Sequence, residues 1–221
     1  MARTHLDRKN VALGALLYRL RQAIDVYRVI GLNAAGARRL GGHVISAKFF
    51  GFVQMLCLDA IAITICKIFE FENPQKPYRL NSISGIMARL AKRRLTAVQG
   101  KNIGRFGRQY GNLSACSNPT EFLVATIQAF RTKHKVSLHR LREFRNQSAA
   151  HSQFGTKIKN LPSVAEFEEL FEFAAEFYKL VSDGILDIGP ASFPPDAGMG
   201  LLRTLKNLGL TDAQFDFSRK A

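Results

Sequence analysis

Seven residues between Leu123 and Arg145 limit what this chain can fold into. Leu123, Ile127, Phe130, His134, Leu138, Leu141 and Arg145 are spaced four, three, four, four, three and four apart. That is the spacing of one continuous face of an α-helix, where side chains three and four residues apart lie above one another. Pro119 and Thr120 supply its start. A stripe this long has to be covered by other elements, and the rest of the chain offers only helical partners, because strand alternation is nearly absent.

Leu13, Leu16/Leu17, Leu20, Ile24 and Tyr27 form an apolar stripe with Arg19, Arg21 and Arg28 off it, which predicts a first helix over roughly 10–30. Gly31, Gly36, Gly41 and Gly42 read as a connection. A second helix, about 44–71, is apolar nearly all round and so is expected to be covered by neighbours on every side, before Asn73-Pro74 and Pro77 stop it. A third starts near Ser82, carries Ile83, Ile86, Met87 and Leu90 inward, and ends among Arg89, Lys92, Arg93 and Arg94, where cations suit the helix C-terminus. Gly100 to Gly111 is glycine-rich and reads as a loop. Ser163 and Glu166 form a capping box that opens a helix with Phe167, Leu170, Phe171, Ala174, Phe177, Tyr178 and Val181 inward and Glu169, Glu172 and Glu176 outward. The expected fold is an all-α bundle of four or five helices over 1–188. Pro190, Pro194, Pro195 and Gly198 open a peripheral tail, 189–221, with a short amphipathic helix around Leu201, Leu202, Leu205 and Leu208.

The 221 residues carry a formal net charge of +15, and no Asp or Glu occurs from Lys76 to Tyr110. So basic a surface favours a polyanionic partner such as nucleic acid or an anionic membrane. Cys57, Cys66 and Cys116 show no C-x-x-C pair and no histidine at ligand spacing, so they read as free thiols and no metal site is expected. Phe49 to Cys66 is apolar enough to suggest a membrane span. Asp59 near its centre opposes insertion by roughly 2.5–3.5 kcal/mol, which favours a bundle helix and a cytoplasmic protein with no membrane partner.

The segment Arg145-Asn146-Gln147-Ser148-Ala149-Ala150-His151 carries the chemistry. RNA can be cut without a metal or other cofactor if a histidine moves the proton of the 2′-hydroxyl or of the leaving oxygen and an arginine fork holds the phosphorane. Asn146 can orient the phosphate or the imidazole. Six residues at about 100° each place Arg145 and His151 roughly 120° apart on a regular helix. Either the helix distorts between them or a two-fold-related copy completes the site. Arg38 to His43 offers a similar spacing without a stripe behind it, and residue chemistry alone leaves a solvated arginine and an incidental histidine open. Arg93, Arg94, Arg105 and Arg108 are further candidates for RNA contact, with Phe106 and Tyr110 available for stacking. The alternative is a catalytically inactive helical module that binds RNA or protein.

Leu141-Arg-Glu-Phe-Arg-Asn-Gln-Ser-Ala-Ala-His-Ser152 resembles the signature of HEPN domains and is most similar to their abortive-infection Abi-U type. Leu56-Cys-Leu-Asp59-Ala-Ile-Ala and Tyr78-Arg-Leu-Asn-Ser-Ile-Ser84 fit the same type. The resemblance implies an all-α HEPN bundle that dimerises so that two motifs form one composite, metal-independent ribonuclease site, in phage defence or a toxin–antitoxin system with a cognate antitoxin. Arg145 and His151 would be catalytic and Asn146 the polar second residue. Asn146 stands where this type commonly has Asp, and Gln153 stands where HEPN toxins paired with nucleotidyltransferase antitoxins have tyrosine.

Overall fold

The computed structural model describes residues 5–41, 44–70, 81–111, 118–149, 161–189, 192–207 and 209, with the side chains of 33–47 and 148–149 outside the description. Eight α-helices and no strand occur among these residues: α1 His5–Gly41, α2 Val44–Ile68, α3 Ile83–Leu90, α4 Ala97–Gln109, α5 Pro119–Lys133, α6 Lys135–Phe144, α7 Val164–Val181 and α8 Asp196–Asn207. Two π-helical turns, Arg145–Ala149 and Ser182–Leu186, extend α6 and α7.

The all-α expectation holds. α1 packs on α2 and α7, and α6 packs on α2. The core is one continuous apolar cluster from Leu6 on α1 to Ile185 after α7. At its centre the Phe130 and Phe173 rings stack at 3.7 Å between centroids, and Tyr110 meets Phe173 edge-on at 4.7 Å. Ser82 caps α3 by accepting a hydrogen bond from the Gly85 amide, and the Ser163–Glu166 capping box opens α7.

Several boundaries differ from expectation, each for a local reason. α1 does not stop at Gly31 but runs through it and Gly36 to Gly41. An isolated glycine costs a helix only about 1 kcal/mol, and at Gly31 the missing Cβ admits the Gln54 side chain of α2. The glycine-rich segment expected to be a loop is α4, opened by a Thr96–Gln99 capping box. Its glycines are spaced as one helical face. A Cβ on Gly107 would clash with the edge of the Phe122 ring, and one on Gly100 would sit 3.2 Å from Pro119, so the glycines let α4 lie close against α5. Phe106 is buried and Tyr110 half-buried in the aromatic core, where burial raises the Tyr110 phenol pKa, so neither ring is offered to a base.

The long stripe is buried as expected, but the helix that carries it breaks at His134 (φ −99°, ψ 18°) into α5 and α6. The His134 ring lies 4.4 Å from that of Phe130, with Nε2 3.3 Å from Glu169 on α7. Burial lowers the pKa of this imidazole, against the pull of Glu169. Nearby, the Ser137 hydroxyl donates to Glu166, a second tie from α6 to α7.

α2 is not covered on every side. Residues 48–68 are long and apolar enough to cross a membrane by length and composition, and only a minority of this stretch is buried. Phe49, Phe52, Met55 and Leu56, spaced along one face, are 46–61% exposed. The segment expected to be a peripheral tail folds back: Leu202 and Leu205 of α8 enclose Val29 of α1, and Gln22 donates to the Pro194 carbonyl and accepts from the Ala197 amide.

Across the α1–α7 contact, Arg21 forks onto Asp25 (2.7 Å twice), reaches Glu168 at 3.1 Å and covers the Phe171 ring, while Arg28 lies 3.6 Å from Glu168. Arg21 and Arg28, expected to lie on the solvated side of α1, are therefore half-buried. Burial raises the Asp25 pKa to about 6, with Arg21 pulling the other way.

Candidate active site

Arg145 lies where α6 gives way to the π-helical turn Arg145–Ala149, and this turn packs against α2. The backbone thus departs from the regular helix at the first residue of the motif, inside the interval where distortion is one of the two ways to resolve the angular mismatch. π-turns of this kind are frequent at functional sites. His151 and the rest of 150–160 lie outside the described residues.

The guanidinium of Arg145 is half-buried, and its Nε and Nη2 donate to Asn146 Oδ1 at 3.3 and 3.1 Å. Asn146 therefore holds the arginine fork from the side. Asp59, the charge that speaks against a membrane span, is half-buried on α2.

The Arg145 side chain lines a cavity of about 220 Å³ with Arg131, Arg142, Glu70, Phe69, Leu138 and Cys66. Burial pushes the Cys66 thiol pKa up, and Arg145 and Arg142 partly offset this. Arg131 is buried, and desolvation together with the neighbouring Arg142 lowers its pKa to about 10. Sequence reasoning missed Arg131 and Arg142. The signal was present: Arg131 and Arg142 fall at helical spacing with the stripe residues Leu138 and Arg145, seven, four and three apart along the chain.

The other candidates are placed apart from this cavity. Arg105 and Arg108 lie on the exposed side of α4 with Lys101, and α4 packs against α5, α7 and the Ser182–Leu186 turn. Arg93 and Arg94 are exposed in the turn between α3 and α4, where Arg93 lines a groove of about 680 Å³ against the start of α5. The structure thus brings Arg145 and Asn146 together and adds Arg131 and Arg142, while Arg93 and Arg94 in the α3–α4 turn and Arg105 and Arg108 on α4 do not line this cavity. Cys57 and Cys66 are free, and Cys116 lies outside the described residues. Among the described residues no three His, Cys, Asp or Glu side chains gather to share a metal ion.

The family model of the AbiU2 type of HEPN domain matches residues 4–198 of the chain. Comparisons with curated proteins and with solved structures gave no match.

Proposed function

The chain belongs to the AbiU2 family of HEPN domains, and from that premise we propose that it is a metal-independent endoribonuclease of phage defence or a toxin–antitoxin system, acting in the cytoplasm as a homodimer. The observation that supports this reading most is Arg145 held by Asn146 at the rim of an arginine-lined cavity, on a π-helical turn that ends two residues before His151 in the sequence.

In this mechanism the 2′-oxygen of a ribose attacks the adjacent phosphorus while the bond to the 5′-oxygen breaks. His151 takes the 2′-hydroxyl proton or delivers one to the leaving 5′-oxygen, and a second copy's motif supplies the other transfer. Each such transfer is worth on the order of 10² to 10⁴ in rate. Arg145 offers paired donors to the non-bridging oxygens as charge builds on the phosphorane. Asn146 fixes the plane of that fork. The products are a 2′,3′-cyclic phosphate and a 5′-hydroxyl.

The exposed apolar face of α2, Phe49 to Leu56, suits closure by a second copy, because a contiguous apolar patch of this kind marks an interaction surface. A cognate antitoxin that restrains the nuclease is part of the same proposal.

The test is incubation of the purified protein with single-stranded RNA in excess EDTA, followed by end analysis of the products. Fragments ending in 2′,3′-cyclic phosphate are expected. Salt-sensitive binding without cleavage would instead make the domain an RNA-binding module, with the Lys101, Arg105 and Arg108 side of α4 as its contact surface.

A further inference from the structure

A second, larger groove adjoins the cavity beside Arg145. Glu70 lines both, and the groove, of about 470 Å³, lies where the first half of α1 meets the C-terminal end of α2. Its volume is within the range of ligand clefts, about 300–1,000 Å³. Ala12, Ala15 and Leu16 of α1 form an apolar floor. Arg19, one turn further along α1, and Lys67, in the last turn of α2, each bring a cation to it. Both cations are exposed, so they keep their charge at little cost and can reach an anion.

Asn81, just before the Ser82 cap of α3, adds an amide that can both donate and accept. Glu70 is the one carboxylate in either lining. A carboxylate repels a phosphate at close range. The joined space therefore offers two anion positions divided by Glu70, one at Arg145 and one at Arg19 and Lys67. Anion positions in series, with an apolar floor and an amide beside the second, match a repeating chain of phosphate, sugar and base.

We propose that the groove at Arg19, Lys67 and Asn81 is a subsite for the nucleotide adjoining the scissile phosphate of single-stranded RNA. This rests on the reading of Arg145 as the residue that holds the scissile phosphate of a ribonuclease. Arg19 offers a planar fork and Lys67 a point charge to the neighbouring phosphodiester. The base lies on the Ala12–Ala15 floor, and the Asn81 amide meets its edge. Held there, the strand passes a sugar rather than a phosphate over Glu70, and this sets which phosphate reaches Arg145.

The test uses a fluorescent single-stranded RNA with 2′-O-methyl groups, which binds but has no hydroxyl to react. Affinity is measured against salt for the wild type, Arg19→Ala, Arg19→Lys, Lys67→Ala, Ala15→Leu and, as a control on α8, Arg203→Ala, with circular dichroism to show that each variant is folded. One lost phosphate contact to a single strand should flatten the slope of log K against log salt by about 0.7. That change is expected for Arg19→Ala and for Lys67→Ala, with the slope kept in Arg19→Lys and in Arg203→Ala. Ala15 is exposed on α1, so Ala15→Leu fills the groove without touching the core or the charge, and it should weaken binding and flatten the slope as well. Wild-type slopes in Arg19→Ala and Lys67→Ala would overturn the proposal. So would flattened slopes in those two beside wild-type binding by Ala15→Leu, because the cations would then act as open surface charge and not through the groove. If all three variants behave as expected but the wild type cuts no unmodified RNA in EDTA, the groove stands as an RNA site and the ribonuclease reading falls. If the wild type cuts RNA and none of the three alters binding, the ribonuclease reading stands and the subsite falls.

Discussion

The side-chain oxygen of Asn146 accepts two hydrogen bonds from the guanidinium of its neighbour Arg145, at 3.1 and 3.3 Å. Two bonds to one oxygen fix the plane of the fork and leave the outer nitrogen atoms for a substrate. Asn146→Ala should therefore lower the cleavage rate at saturating RNA by roughly tenfold, the scale of about one lost hydrogen bond to a charged group, with little change in KM. Asn146→Asp keeps an acceptor in place and should retain most of the rate. Equal losses in both variants would mean that the amide acts on the substrate rather than on Arg145.

Gly107 and Gly104 lie on the same helix but face different surroundings. A Cβ at Gly107 would collide with the Phe122 ring, whereas at Gly104 the nearest atom is the flexible end of Arg108, 3.6 Å away. Gly107→Ala should destabilise the fold by about 1–3 kcal/mol. Gly104→Ala should be neutral or stabilising by up to about 1 kcal/mol, since alanine is the better helix former. Thermal melts of the two variants, read side by side, check this.

Asp25 gives a pH dependence of definite sign. Its folded-state pKa of about 6 lies above the ordinary 3.8, so its protonated form is favoured by folding. The resulting stabilisation is complete below the unfolded pKa and is lost as pH rises through about 6. The difference in melting temperature, wild type minus Asp25→Asn, should therefore grow more positive as pH falls from 7 to 5. A difference that is constant, or that shrinks, would mean that the Arg21 fork outweighs burial.

The apolar face of α2 makes a prediction about assembly. Phe52 is 61% exposed in the single chain, so Phe52→Glu should leave the helical circular dichroism unchanged. On the homodimer reading it should shift the sedimentation mass from dimer to monomer at micromolar concentration and abolish RNA cleavage with it. A variant that remains dimeric would move the interface elsewhere.

The parts of the fold that were legible in the sequence are those set by local chemistry. The Ser82 cap, the Ser163–Glu166 box and the inward residues of α3 and α7 all appear as their spacing predicts. What was not legible depends on partners distant in sequence. Gly100 and Gly107 read as loop formers until Pro119 and Phe122 supply a reason for a helix without side chains on that face. The Arg21–Asp25 pair is visible at i, i+4, but Glu168, which joins it to Arg28, lies 143 residues beyond Asp25. α2 is apolar all round, and sequence alone does not tell which side the bundle leaves open. At the candidate site the motif itself was readable, whereas Arg131 and Arg142 gain their meaning only from the cavity that Cys66, Phe69 and Glu70 of the α2 end close.

The most direct test of the ribonuclease account is the single-turnover rate of cleavage of single-stranded RNA in excess EDTA by His151→Ala beside the wild type, in preparations with matched melting temperatures. The account predicts a fall of about 10² to 10⁴ and a 2′,3′-cyclic phosphate end on whatever product remains. Cleavage by His151→Ala at the wild-type rate would contradict it.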